Sequence, residues 1–468
     1  MQAARAEWEV KIKRNLVLRL VELGRELGLP CTVLLEGQER DYERSYVGFG
    51  SGWVIKHRRQ TAAGHDPVAA VRAFMQEQKE AVGEDWRNWE SGVIGYVDYE
   101  WGLHWHRPAS AHSKPGYFFR LCPVNLILLP LKNRLVLEVF GENTGDVNST
   151  LEQWGNAVGN IVETESKVAI DAKTTGSTAV RTAAEIPVAA KITWESNMKP
   201  EDFISAVDRI KEFIQSGDVF QAVYSQRFRK KGNYSPWAIY RRLRDLNPSP
   251  YLFCLQGEEE TLVGSSPELL VSSIGARIRT CPIAGTRPRG STEEADLAYE
   301  YELRHDEKEN AEHAMLVDLG RNDLGRVSRY GTVQVTQYAA VERFSHVMHL
   351  VSMVEGELAA GYDGHEALKA AFPAGTLSGA PKVRAMEILQ QLEPAYRGAY
   401  GGALGIVRWN GDIDFCITIR TLCLTEDEIS VQAGAGIVFD SIPEAEYQET
   451  VHKAKALMKV VDELASDD

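Results

Sequence analysis

Short apolar runs bounded by turn residues constrain the fold of this chain more than any other feature of its sequence. Such runs occupy Thr32–Leu35, Ser45–Gly48, Gly92–Val97, Tyr117–Leu121, Asn125–Leu129 and Arg134–Phe140. Runs of this length between turn signals are typical of strands with hairpin-type connections. Apolar residues at helical spacing also occur, as in the stretch 10–28 that ends at Gly28. The pattern predicts an α+β fold in which strands and helices intermix without regular β-α-β alternation.

Three regions are predicted along the chain. Residues 1–162 form an amino-terminal strand-rich region, and residues 193–468 a region of mixed strands and helices. Between them, residues 163–192 are rich in Thr, Ala, Lys and Ser with few large apolar side chains, which predicts a linker or mobile loop. In the third region, one helix is predicted to begin near Pro200 and to stop at Gly217, and the last helix to begin at Pro443.

Charge, cysteine content and hydropathy exclude several classes of function. The net charge of −14 gives an acidic surface that repels a phosphate backbone, so we expect no nucleic-acid partner. Six isolated cysteines without a C-x-x-C pair indicate free thiols in a reducing compartment and argue against a zinc ribbon. The apolar run 124–131 is too short to span a bilayer, and residues 1–19 are too charged for a secretory leader. We therefore expect a cytoplasmic protein without a membrane partner.

Two pairs of glutamates at helical spacing are candidates for metal binding. Glu309 and Glu312 are three residues apart, as are Glu446 and Glu449, and Lys453 follows one turn after the second pair. Four carboxylates from two helices would suit Mg²⁺, a hard cation that prefers oxygen ligands. The alternative for each pair alone is a solvated helix face that the helix dipole stabilises.

Three glycine-rich segments could hold an anion on their backbone N–H groups. They span residues 282–290, 374–382 and 433–436. None has the spacing of a P-loop or the strand–G-x-G-x-x-G–helix arrangement of a dinucleotide-binding site. Each is equally compatible with a turn that binds nothing. Arg420 lies in the apolar run Ile417–Leu422, which we interpret as a strand. An arginine there either needs an anionic partner or lies on the solvated face of that strand.

Taken together, these motifs resemble those of the chorismate-utilising enzymes. The residues that carry the resemblance are Gln221, Pro267-Glu268, Glu309/Glu312, His349, Gly375-Thr376, Arg420, Gly434-Ala435-Gly436, Glu446/Glu449 and Lys453. The match extends from about residue 200 to 465, and Leu34-Leu35-Glu36 and Ser45-Tyr46-Val47-Gly48 resemble segments of the anthranilate and aminodeoxychorismate synthase branch. The resemblance implies an α/β sandwich of large antiparallel sheets with flanking helices.

The resemblance also implies a cofactor and a set of site residues. Mg²⁺ would bridge the ring carboxylate of chorismate to Glu312 and Glu449, with Glu309 and Glu446 as supporting partners. Glu268 matches the general acid for the departing ring hydroxyl. The positions that match substrate contacts are Tyr400, Arg420, Gly434, Gly436, Lys453, Gly285 and Thr286, with His349 beside the enolpyruvyl group and Thr376 beside the ring.

Gln221 bears on the nucleophile. The family members that add water carry a lysine base at this position, whereas ammonia is already a nucleophile and needs no such base. Ala284, the segment 372–379 and Cys416 favour the anthranilate branch. We therefore expect the chorismate-binding subunit of an anthranilate synthase, in a hetero-oligomer with a glutamine amidotransferase subunit that supplies ammonia. The alternatives are aminodeoxychorismate synthase component I and a non-catalytic binding subunit of the same fold.

Feedback inhibition by tryptophan is a further expectation from the resemblance. The family's regulatory pocket uses two segments that correspond here to residues 34–37 and 247–251. The residues assigned to it are Leu35, Glu36, Ser45, Pro248 and Tyr251. Gly37 replaces the family's serine, so a hydrogen bond to the ligand would be lost. The alternative is that these segments only pack the core.

Overall fold

The computed structural model describes residues 1–10, 15–39, 42–57, 66–111, 113, 115–168, 193–344 and 347–464. Its β-strands are β1 (Gln2–Glu9), β2 (Cys31–Glu39), β3 (Tyr42–Phe49), β4 (Trp53–His57), β5 (Gly92–Val97), β6 (Tyr117–Leu121), β7 (Val124–Leu129), β8 (Arg134–Gly141), β9 (Glu195–Ser196), β10 (Gln221–Lys231), β11 (Tyr251–Gln256), β12 (Thr261–Ser266), β13 (Leu269–Ile274), β14 (Arg277–Thr280), β15 (Ile283–Pro288), β16 (Gln334–Arg343), β17 (Val347–Glu357), β18 (Gly379–Ala380), β19 (Ala403–Arg408), β20 (Ile413–Ile417), β21 (Thr421–Leu424) and β22 (Glu428–Ile437). Its α-helices are α1 (Leu16–Glu26), α2 (Pro67–Val82), α3 (Trp101–His106), α4 (Thr144–Val168), α5 (Pro200–Gln215), α6 (Pro236–Leu246), α7 (Glu293–His305), α8 (Glu307–Gly325), α9 (Gly364–Ala371), α10 (Lys382–Leu392) and α11 (Pro443–Leu464).

The strands form two large antiparallel sheets in the described part of the chain. The first sheet has the order β1-β8-β7-β3-β2-β11-β12-β21-β22-β10-β18, with β9 paired to β10. The second has the order β15-β17-β14-β13-β20-β19-β5-β6-β4, with β16 paired to β17. The predicted α+β sandwich is confirmed, and the six predicted amino-terminal strands are all present with small differences at their ends.

Three apolar layers hold the sheets and helices together. The middle layer lies between the two sheets and includes Phe253 from the first and Ile406 from the second, both essentially inaccessible to solvent. Helices α1, α4, α6 and α11 cover the first sheet, and α2, α8 and α9 cover the second. Burial of each such side chain contributes roughly 1.5–3 kcal/mol, so the sandwich is stabilised through its centre and on both outer faces.

The predicted regions do not correspond to separate sheets. Strand β2 from residues 1–162 pairs with β11 of the first sheet, and β5 pairs with β19 of the second. The linker predicted for residues 163–192 begins too early, because α4 continues to Val168 and the Thr164 hydroxyl donates to the Asn160 carbonyl within that helix. The remainder of the predicted linker, residues 169–192, lies outside the described residues.

The strand predicted over Ile417–Leu422 is also wrong. Strand β20 ends at Ile417 in the second sheet, and β21 begins at Thr421 in the first, so the chain changes sheets between them. Arg420 lies in this crossover with a left-handed backbone (φ 50°). Its carbonyl oxygen accepts a hydrogen bond of 3.1 Å from the Ser265 backbone N–H, which holds the crossover against β12.

Other expectations concern thiols and membranes. None of the six cysteines forms a disulfide, as predicted, although Cys281 and Cys423 are only half-buried. Among the described helices, none combines the length and apolar character that a bilayer-spanning segment requires.

Candidate active site

A cavity of about 590 Å³ lies where the two sheets meet beside helices α8 and α11. Strands β10 and β22 contribute to it from the first sheet, and β15 and β17 from the second. Every residue predicted to act in catalysis, substrate contact or metal binding lines this cavity: Gln221, Glu268, Gly285, Thr286, Glu309, Glu312, His349, Thr376, Tyr400, Arg420, Gly434, Gly436, Glu446, Glu449 and Lys453. Tertiary folding therefore brings together residues that span about half of the chain.

Glu268 is a buried carboxyl group in the cavity whose pKa is raised toward neutrality. It follows β12 and is buried, and burial raises its pKa from 4.5 to about 7. The Thr376 hydroxyl donates a 2.7 Å hydrogen bond to Glu268 Oε1, and this bond and the charge of Lys453 partly oppose the upward shift. A carboxyl with a pKa near neutrality carries a proton that it can transfer, which suits a general acid.

Two helices supply the four remaining glutamates. Glu309 lies in the first turn of α8, where the Asp306 side chain caps the helix by accepting from the Glu309 N–H. Glu446 lies in the first turn of α11. Burial raises the pKa of both carboxyls, and the neighbouring Glu312 and Glu449 add to the increase. The cavity thus concentrates negative charge between the two helices.

The donor chemistry of these glutamates fits a hard divalent cation such as Mg²⁺. Carboxylate oxygens are its preferred protein ligands, and a cation would relieve the repulsion within each pair. Within the described ranges, however, no three His, Cys, Asp or Glu side chains already form a group that could hold a metal ion. A cation bound here would therefore complete its coordination with oxygens from water or from a bound ligand.

Gln221 begins β10 and is buried beside α8. Its Nε2 donates to Glu312 Oε1 at 3.2 Å. Its Oε1 is buried and has no hydrogen-bond partner within the described part of the chain. A buried amide oxygen without a partner is costly, so this acceptor is positioned for a donor that the described part of the chain does not supply.

Small residues on β22 leave room beside Gln221. A Cβ atom at Gly436 would lie 2.6 Å from Gln221 Nε2, and one at Gly434 would lie 2.9 Å from the Tyr400 hydroxyl. Both distances are shorter than contacts that real Cβ atoms make, so a side chain at either position would displace the Gln221 amide or the Tyr400 hydroxyl. Across the cavity, Gly285 has a φ of 71° at a bulge of β15, which favours glycine for its backbone conformation.

Cationic and hydrogen-bonding groups line the cavity together with the glutamates. Lys453 Nζ lies 2.6 Å from Glu449 Oε1 and donates to the Gly434 carbonyl at 3.0 Å. Arg420 Nη1 donates to the Lys453 carbonyl at 3.2 Å, and burial lowers the pKa of Arg420. Burial also raises the pKa of Tyr400, which keeps its hydroxyl protonated as a donor. The group can hold an anionic ligand through both charge and hydrogen bonds.

His349 on β17 is neutral at physiological pH because burial lowers its pKa. Its Nδ1 lies 2.9 Å from the Gly285 carbonyl oxygen and 3.1 Å from the Thr286 hydroxyl. A carbonyl only accepts hydrogen bonds, so Nδ1 carries the ring proton and Nε2 is the acceptor.

The cavity also includes polar residues that the sequence analysis missed. Lys308 precedes Glu309 on α8, and its charge lowers the pKa of Glu446 on α11. Gln432 lies two residues before Gly434 on β22. Side chains at every second strand position share a face, so this period could have identified Gln432.

The residues assigned to a tryptophan pocket are not among the described residues that line this cavity. Strand pairing places Gly37 between Tyr251 and Arg44, and Glu36 opposite Ser45. Leu35 packs between the sheets, whereas Pro248 is exposed. The buried Glu36 carboxylate accepts from Arg244 Nε at 2.8 Å and Nη2 at 3.1 Å, and from the Tyr240 hydroxyl.

Comparisons with known proteins agree with this geometry. A sequence profile described as chorismate binding enzyme matches residues 30–459. Anthranilate synthase component 1 of Aquifex aeolicus (strain VF5) is 41% identical over 91% of this chain and 88% of that protein. Aminodeoxychorismate synthase component 1 of Bacillus subtilis (strain 168) is 40% identical over 85% of this chain and 82% of that protein. The crystal structure of anthranilate synthase component I from Streptococcus pneumoniae TIGR4 is 32% identical, with a TM-score of 0.72 over 90% of this chain and 93% of that one.

Proposed function

The chain belongs to the chorismate binding enzyme family, and we propose that within it the chain is the chorismate-binding subunit of an anthranilate synthase. The observation that carries the proposal is that one cavity contains both Glu268, whose pKa burial raises to about 7, and a Gln221 amide oxygen without a partner in the described part of the chain. The first is a proton donor for a leaving hydroxyl. The second is an acceptor for the N–H groups of ammonia.

The reaction would begin with substrate binding and continue with amination and elimination. Arg420 and Tyr400 bind the enolpyruvyl carboxylate of chorismate, and Lys453 with the backbone near Gly434 and Gly436 supplies further carboxylate contacts. Ammonia forms a bond to the ring carbon, and the ring hydroxyl leaves as water with the proton of Glu268. Loss of a ring proton and of the enolpyruvyl group as pyruvate then gives the aromatic product, anthranilate. This makes the protein a lyase.

We propose Mg²⁺ as the cofactor, held by Glu312 and Glu449 and supported by Glu309 and Glu446. When bound, the ion would neutralise the carboxylates and orient the ring carboxylate of the substrate. The proposal draws support from the charge that these four side chains concentrate beside the cavity.

The proposal includes a partner and a cellular location. A separate glutamine amidotransferase subunit would supply ammonia, which makes the working protein a hetero-oligomer. The acidic net charge and free thiols are consistent with a cytoplasmic enzyme without a nucleic-acid or membrane partner. Tryptophan is proposed as an inhibitor that binds near Glu36, with reduced affinity because Gly37 lacks a side-chain hydroxyl.

The second candidate is aminodeoxychorismate synthase component I, in which amination ends without loss of pyruvate. The Bacillus subtilis relative favours keeping this alternative, because its 40% identity is close to that of the anthranilate synthase relatives. A binding subunit without turnover is the third reading, and the retained acid, carboxylates and cations argue against it.

A product assay tests the proposal. The purified chain is incubated with chorismate, Mg²⁺ and a high ammonium concentration at mildly alkaline pH, and products are separated and identified. We expect anthranilate and pyruvate in equal amounts. An aminated product that retains its enolpyruvyl group would favour the second candidate, and no product would favour the binding subunit. Isochorismate or salicylate would contradict the argument from Gln221.

A further inference from the structure

Arg397 is a buried arginine behind the cavity wall, outside the set of residues that line the cavity. Its side chain is 1% exposed. Nε donates to Glu393 Oε2 at 2.8 Å and Nη2 to Glu393 Oε1 at 2.7 Å, which is a bidentate ion pair. The same guanidinium donates to two backbone carbonyls, Leu377 through Nη1 and Val223 through Nη2, each at 2.5 Å.

These two carbonyls belong to neighbouring segments of the cavity lining, which are also joined by a 3.0 Å hydrogen bond from the Val223 backbone N–H to the Ser378 carbonyl. Val223 lies on β10 opposite Gly436 of β22, and both residues line the cavity. Leu377 ends the short 3-10 turn that contains Thr376, the hydrogen-bond donor to Glu268. The planar guanidinium therefore adds side-chain hydrogen bonds to the backbone contact that holds β10 against the turn that orients the acid.

Arg397 also lies in the connection between α10 and β19 that presents Tyr400. Its backbone N–H donates to Glu100 Oε1 at 2.6 Å, and its guanidinium carbon lies 4.3 Å from the centre of the Tyr99 ring. The same carbon lies 5.8 Å from the Tyr400 ring centre. The position of the loop, and so of the Tyr400 hydroxyl beside Gly434, depends on where the guanidinium is held.

The carboxylate partner extends this network along β10. Glu393 Oε1 also accepts from the backbone N–H and hydroxyl of Ser225, at 3.0 and 2.6 Å. The Ser225 hydroxyl in turn accepts from Gln432 Nε2 at 2.9 Å. A buried ion pair with this many directional bonds adds little net stability but specifies one geometry.

We propose that Arg397 is a positioning residue for the reaction, which sets the spacing between the β10 wall, the Thr376 turn and the Tyr400 loop. The inference rests on the proposed function, because it assigns Glu268 and Tyr400 to one bound substrate. Lysine cannot replace arginine here, since a point cation on a flexible stem does not span two carbonyls and a bidentate carboxylate.

The test compares Arg397→Lys with Arg408→Lys in the full chain. Arg408 is equally buried and has a carboxylate four residues away, with Nη1 3.8 Å from Asp412 Oδ2, but it lies outside the cavity lining. We expect kcat/KM for chorismate to fall at least tenfold in Arg397→Lys and to change less than twofold in Arg408→Lys. Chorismate affinity, measured by calorimetry, should fall with it.

A pH–rate profile distinguishes a positioning role of Arg397 from a general loss of structure in the variant. The Thr376 hydrogen bond favours the ionised form of Glu268, so its loss raises the pKa of that carboxyl and moves the alkaline limb of kcat to higher pH. Arg397→Lys and Thr376→Val should shift the limb in the same direction, and the double variant should shift it no further than Thr376→Val alone.

Three results would overturn the inference: activity and affinity within twofold of wild type, an unchanged alkaline limb, or additive shifts in the double variant. If Arg397→Lys does not fold, Glu393→Gln applies the same test, because it keeps the guanidinium and the side-chain size. Absence of product from wild type would instead contradict the proposed function, and chorismate affinity in the variants would still decide the role of Arg397.

Discussion

The Thr376 hydroxyl donates a 2.7 Å hydrogen bond to Oε1 of Glu268, two residues that are 108 positions apart in the chain. The bond joins a short 3-10 turn to the segment after β12, and it favours the ionised form of the acid against the effect of burial. Burial raises the pKa of Glu268 to about 7, and the threonine limits the increase.

The first prediction concerns the pH dependence of turnover. A general acid works only when protonated, so kcat at a fixed concentration of free ammonia should fall as pH rises through about 7. Glu268→Gln should lower kcat at least 100-fold and remove this limb. A pH–rate profile of wild type and variant checks both expectations. An alkaline limb that persists in Glu268→Gln would mean that another group supplies the proton.

The second prediction concerns stability. The fold disfavours the ionised form of Glu268, so the penalty is absent below its ordinary pKa of 4.5, grows as pH rises and is complete above about 7. A difference of about 2.5 pKa units corresponds to roughly 3 kcal/mol. Glu268→Gln should therefore raise the free energy of unfolding by up to that amount at pH 8 and by little at pH 5. Urea denaturation at both pH values measures the difference, and an equal effect at both would contradict the burial argument.

The third prediction tests the metal assignment. Glu312→Gln and Glu449→Gln should each raise the Mg²⁺ concentration needed for half-maximal activity at least tenfold, because each removes a charged oxygen ligand. Glu444→Gln is the matched control, since Glu444 lies in the first turn of the same helix as Glu449 but outside the cavity lining. Titration of EDTA-treated enzyme with Mg²⁺ gives the midpoints. Full activity of Glu449→Gln without added Mg²⁺ would refute the assignment.

The fourth prediction tests the choice of nucleophile. Gln221→Lys places an amine beside Glu312, where the glutamine Nε2 now donates at 3.2 Å. We expect the variant to lose at least 90% of its ammonium-dependent product and to form a hydroxylated product, because the amine can take a proton from water. Gln432→Lys adds the same charge on the same sheet and should form no hydroxylated product. Identical product ratios in both variants would show that charge alone, and not the position of residue 221, matters.

The fifth prediction concerns tryptophan. Gly37 pairs with Tyr251 and Arg44 on neighbouring strands, next to the buried Glu36. Because a hydrogen bond to a charged ligand group contributes roughly 1.5–3 kcal/mol, Gly37→Ser should tighten tryptophan binding about tenfold or more. Calorimetry of wild type and variant measures this. No heat from either protein at millimolar tryptophan would remove the regulatory proposal.

The sequence alone determined the local elements and the chemical inventory of the site. The run Gly92–Val97 matches β5 residue for residue, because all six of its residues are buried and turn residues flank it. The glutamates of the cavity were predicted from their helical spacing, and its glycines from the glycine-rich segments and the family resemblance.

Tertiary structure alone decided how these parts are arranged. Arg420 was predicted to lie within one strand, but it lies where the chain crosses between the two sheets. Local hydropathy does not distinguish such a crossover from a continuous strand. Arg397 carried no sequence signal, because its importance comes from Val223 and Leu377, which are 174 and 20 residues away. The pairing of β2 with β11 likewise joins residues that are distant in sequence. Which strands pair depends on how the core packs and not on any local pattern.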